Sequence, residues 1–130
     1  MSFFYDVGLF IVLLLISPKI LIDYLFHKKY RKSLFLRFRS TPPKTKKPVI
    51  WLHAVSLGEV KALSVLIPHI RKARPDCFIL ISTITETGQT EAKKNIFDAD
   101  AFCYLPIDFS FLMRPFIRAL KPALLILVEG

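Results

Sequence analysis

The chain has 130 residues, 53% of them apolar, and carries 19 Lys and Arg against 10 acids. This length holds one modest domain with one core, and the mean hydropathy of +0.45 is high for a soluble domain. The charge is uneven: residues 1–47 carry 10 Lys and Arg against 2 acids, and residues 48–130 carry 9 against 8. A basic, apolar head is therefore joined to a nearly neutral body, which excludes one uniformly basic surface.

Most of the apolar excess lies in "FFYDVGLFIVLLLISPKILIDYLF", residues 3–26. As a helix this run would extend about 36 Å, comparable to the thickness of a bilayer. Its uncharged stretch from Val7 to Pro18 is short, and Pro18 with Lys19 interrupts it. No basic residue precedes the run and no small-residue cleavage site follows it, so a signal peptide is not expected. Residues 1–26 are expected to form a membrane-anchor helix, spanning or interfacial; a buried core helix is the alternative. Residues 27–47 form a basic juxtamembrane segment and linker. "HKKYRKSLFLRFRS" interleaves Lys28, Lys29, Arg31, Lys32, Arg37 and Arg39 with Tyr, Leu and Phe, a pattern that suits anionic headgroups. The positive-inside tendency puts the following domain on the cytoplasmic side. Nucleic acid, the competing partner for such a strip, is disfavoured by the adjacent apolar segment.

From residue 48 to 130 short β-rich runs alternate with helical spacing. Strands are expected at 49–55, 77–83, 101–105 and 123–128, and helices at 59–74, 86–98 and 109–121, with a kink at Pro68. Apolar runs without polar alternation suit strands covered on both faces. The order predicts an α/β fold, a Rossmann-like open parallel sheet with right-handed crossovers. Cys77 and Cys103 fit no metal-ligand spacing and read as small buried hydrophobes, unpaired. His53 and His69 have no partner at a metal-binding spacing and read as structural. Asp108 is placed to cap the third helix of the body.

In open parallel sheets ligands bind beyond the carboxyl ends of the strands. Here that rim comprises "SLGE" (56–59), "TITETG" (83–88), "PIDFS" (106–110) and "EG" (129–130). It contains neither G-x-G-x-x-G nor a P-loop, which disfavours a nucleotide site within these residues. The last strand meets Gly130 with no covering helix, so the sheet reads as cut. "SLGE" matches the S-x-x-E capping box, in which Ser56 caps a helix and Glu59 reaches back to the cap's N–H. The same Glu59 stands on the ligand rim, and Gly58 leaves the backbone beside it open. A helix N-terminus stabilises an ionised carboxylate, ready to take a proton although a weaker base for it. The residues alone leave cap and base both open.

"IWLHAVSLGEV", "STITETGQTEA", "YLPID" and "KPALLILVEG", in this order and spacing, closely resemble the start of the Kdo transferases of lipopolysaccharide synthesis (3-deoxy-D-manno-octulosonic acid transferases). The resemblance spans the chain, including the apolar helix, the basic segment and the "HxVSxGE" motif. It implies the N-terminal half of an inverting, metal-independent GT-B glycosyltransferase. Such an enzyme moves Kdo from CMP-Kdo to a lipid A precursor at the cytoplasmic face of the inner membrane. No cofactor is implied; CMP-Kdo is the donor substrate, held mainly by a C-terminal domain missing here. Glu59 corresponds to the family's general base, with Ser56, Gly58 and Glu129 as acceptor-binding or site-supporting residues. Glu129 matches only the first acid of the family's E-x-E. The 130 residues alone are expected to be inactive. The alternatives are a non-catalytic membrane-tethered α/β fragment and another GT-B glycosyltransferase.

Overall fold

A computed structural model describes residues 2–26 and 35–128. Helix α1 (Ser2–Phe26) is followed, after a short helical turn at 35–38, by the α/β body. The body comprises β1 (Val49–Ala54), α2 (Leu57–Ala73), β2 (Phe78–Thr83), α3 (Glu86–Asn95), β3 (Ala101–Tyr104), α4 (Ser110–Leu120) and β4 (Pro122–Val128). Among the described residues no helix is long and apolar enough to cross a membrane.

The four strands form one all-parallel sheet in the order β3-β2-β1-β4. The chain steps outward from β1 to β2 to β3 and then returns to the far side of β1. Because side chains alternate across a strand, β1 serves two cores. Ile50, Leu52 and Ala54 pack with Ile79 and Ile81 against Val60, Leu63 and Ile67 of α2 and Ala92 of α3. Val49 and Trp51 pack with Leu80 against Phe116 and Leu120 of α4. Thus α2 and α3 cover one face and α4 the other, as a reversal of strand order with right-handed crossovers requires. Central β1 is buried throughout. Edge strand β4 is not, with Leu124 51% and Leu127 59% exposed.

The expected elements are all present, with shifted ends. Helix α2 passes through Pro68 without ending. Helix α3 stops at Asn95, short of the expected 98, because Ile96 turns to extended geometry and enters the core at 4% exposure. Asp108 does not cap α4. The N-cap position is Phe109, which offers no side-chain acceptor. The cap comes instead from Asp6 of α1, whose Oδ1 accepts from the Ser110 backbone N–H and from its hydroxyl, both at 3.0 Å. Asp108 is engaged as the acceptor of the Tyr5 hydroxyl.

Candidate functional site

The strand order reverses between β1 and β4, so their carboxyl ends are the switch point of the sheet, where open α/β folds bind their ligands. The turn after β1 is "VSLGE", and the crossovers place the N-termini of α2, α3 and α4 along the same rim. Such termini carry partial positive charge and unpaired N–H groups, and so favour anionic or oxygen-rich ligands.

Ser56 is the N-cap of α2 in extended geometry, and its Oγ accepts from the Glu59 N–H at 3.2 Å. Glu59 Oε2 accepts from the N–H of Ser56 at 3.1 Å and of Val55 at 2.5 Å. The capping box is complete. It also fixes a half-buried carboxylate at the switch point of the sheet, with Oε2 held by two backbone N–H groups. Gly58 is exposed, and a Cβ there would meet only Ser56 Oγ, at 3.9 Å, so the backbone beside Glu59 is open outward.

The neighbouring turn is built alike. Thr85 Oγ1 caps α3 by accepting from the Gly88 N–H at 3.1 Å. Gly88 sits tightly: an added Cβ would lie 3.1 Å from Thr85 Oγ1 and 3.9 Å from the Val55 carbonyl. Val55 therefore joins the two turns. Thr83 Oγ1 and Gln89 Nε2 are buried here with no hydrogen-bond partner among the described residues. Neither was singled out in the sequence, where only burial could have distinguished them from other rim polar residues.

On the α4 face, Ser82 Oγ accepts from Trp51 Nε1 and bonds His53 Nδ1, each at 2.8 Å. Burial lowers the His53 pKa and outweighs the opposing influence of a Ser82 backbone bond. His53, Trp51, Leu105, Asp108, Leu125 and Leu127 border a largely apolar cleft of about 300 Å³ between α4 and β4. The thiols of Cys77 and Cys103 are free, and burial pushes that of Cys103 up to about 12. No group of three His, Cys, Asp or Glu able to hold a metal occurs among the described residues.

Of the basic collar, Lys28, Lys29, Arg31 and Lys32 lie outside the described residues, as does Glu129. Arg37 is half-buried and donates to the carbonyls of Leu105 at 2.9 Å and Pro106 at 3.5 Å, which ties the collar to the third rim turn. Arg39 is exposed over the Phe35 ring.

The fold and rim define an open parallel α/β domain whose switch point lies between β1 and β4. A family model described as 3-deoxy-D-manno-octulosonic-acid transferase (kdotransferase) matches residues 32–130, and the chain belongs to that family. Curated relatives share its sequence. The 3-deoxy-D-manno-octulosonic acid transferase of Chlamydophila psittaci is 33% identical over 99% of this chain and 30% of its own length. That of Haemophilus influenzae is 33% identical over 78% of this chain and 24% of its own. The chain thus spans under a third of the relatives it matches. No solved structure matches it significantly.

Proposed function

We propose that the chain is the acceptor-side, N-terminal domain of a GT-B Kdo transferase, with Glu59 as general base. The acceptor hydroxyl attacks the anomeric carbon of Kdo as the bond to the CMP phosphate oxygen breaks. CMP leaves with the bonding electron pair, and the hydroxyl proton passes to the Glu59 carboxylate. In-line displacement of this kind inverts the anomeric centre. No metal or cofactor is needed for the proton transfer, and CMP-Kdo is bound chiefly by a second domain. The acceptor is a lipid A precursor, and the protein works at the cytoplasmic face of the inner membrane. Residues 1–26 serve as anchor, 27–47 as basic collar and 48–130 as the acceptor domain.

The observation that carries this reading is the placement of Glu59, an acid held by two backbone N–H groups in the first turn after β1, at the switch point. Capping and catalysis are compatible, because the grip that caps the helix also holds the carboxylate in one orientation. Gln serves in a capping box as Glu does, so Glu59→Gln separates the two roles. In the full-length enzyme this substitution should leave the thermal midpoint nearly unchanged. Transfer from CMP-Kdo to a lipid A precursor should fall by about two to four orders of magnitude. Near-normal turnover would make Glu59 a cap alone.

A further inference from the structure

Over residues 2–15, helix α1 turns its polar residues Ser2 and Asp6 toward the protein and leaves most of its apolar side chains exposed. Of residues 2–15, Ser2, Asp6, Leu9 and Leu13 are partly covered, and their 4, 3, 4 spacing is one helical stripe. The others are exposed, including Phe3, Phe4, Phe10, Leu14 and Leu15 at 55–79%. Asp6 is the only charged residue among residues 2–18, and it points inward to cap α4. Four more polar groups join the same contact: Tyr5 donates to Asp108, and Arg114 Nη2 donates to Ser2 Oγ at 2.7 Å. Residue numbers fall along α4 as they rise along α1, from Ser2 with Arg114 to Asp6 with Ser110. The two helices therefore run in opposite senses, and α1 passes the N-terminus of α4 on the side of the strand carboxyl ends.

We propose that this contact is a clamp, with Asp6 as a cap in trans, that holds the rim of the domain against an anionic lipid surface. The inference rests on the membrane reading of residues 1–26 and adds an orientation to it. A soluble helix turns its apolar stripe to the core; residues 2–15 of α1 cover only Leu9 and Leu13 and leave the larger apolar side chains exposed, which suits lipid as the outer solvent. Charge supports that occupant: exposed Arg114 and Arg118, with exposed Phe111, lie at or beside the clamp on α4, a pairing of cations and an aromatic that matches anionic headgroups. With the clamp closed, the switch point beside Glu59 faces the layer in which an amphiphilic acceptor lies. The acceptor's headgroup can then be reached without drawing its chains into water. Asp6 is a positioning residue and touches no substrate.

The test uses full-length protein with other cysteines removed and an environment-sensitive fluorophore at Thr87→Cys on the rim or at Lys72→Cys near the far end of α2. The protein is bound to vesicles of phosphatidylethanolamine and phosphatidylglycerol that carry a headgroup-level quencher. The rim probe should be quenched and the distal probe spared. Asp6→Ala should co-sediment with vesicles as before, because its apolar surface is unchanged, while rim quenching falls to the level of the distal probe. Asp6→Asn, which can also cap, should restore it. Unchanged rim quenching in Asp6→Ala overturns the clamp while leaving the membrane reading intact. Failure of the unsubstituted protein to co-sediment overturns both.

Discussion

Single residues at the rim carry more than one duty, and Glu59 is the clearest case. Its side chain closes a helix end and is also the proposed proton acceptor, so its position follows from local chemistry before any substrate arrives. His53 shows the same economy in the core. It sits opposite Ser82 in the sheet, where one hydroxyl serves both the indole of Trp51 and the imidazole. Burial disfavours the charged ring and depresses its pKa. An unfolded histidine titrates near about 6.5, so below that pH the unfolded chain takes up a proton that the folded chain resists. The stability that His53 contributes is present above this value and is lost as pH falls through its depressed folded value. The urea midpoint should therefore fall as pH drops from about 7 to about 5. In His53→Gln that slope should flatten, whatever the midpoint's absolute position. An equal slope would assign the loss to other groups.

Helices α2 and α3 are capped by their own N-cap residues, Ser56 and Thr85, and end next to basic residues that complement the helix dipole. Their starts are readable from a few neighbouring letters. Helix α4 differs at both ends. Its cap arrives from α1, more than a hundred residues away in the chain. Its exit passes through Lys121 at φ 47°, in the left-handed region, where a Cβ is disfavoured and glycine is the usual occupant. Lys121→Gly should accordingly stabilise the domain by about 0.5–1 kcal/mol, read as a rise in thermal midpoint. A fall would mean that the lysine side chain contributes more than its backbone strain costs.

At the scale of the molecule, the reversal of strand order decides which turns can cooperate. It brings the end of β4 beside the Glu59 turn and puts α4, with α1 clamped to it, on the face opposite α2 and α3. The rim offers helix N-termini but no glycine-rich phosphate loop, and Arg37 is committed to backbone carbonyls. Little here would grip a nucleotide. The 130 residues by themselves should show no transfer from CMP-Kdo in a product assay at concentrations where the full-length enzyme is active. Measurable transfer would overturn the two-domain reading.

The sequence by itself determined the alternation of strands and helices, the capping box at Ser56 and Glu59, and the kinship of the chain. All three depend on residues close in the chain, or on motifs whose order is their content. It was silent on the rest because the deciding contacts are distant. Nothing near Asp108 tells that a carboxylate from α1 will take its expected place as the cap. Nothing near Ile96 tells that the core will end α3 early. The pairing of β4 with β1 follows from the crossover of α4, a choice between the two sides of a sheet that strand composition does not encode. Only the tertiary structure could show that Asp6, an acid in the apolar first turns of α1, turns inward to the rim, because a charge is stabilised there by the partner that folding brings to it.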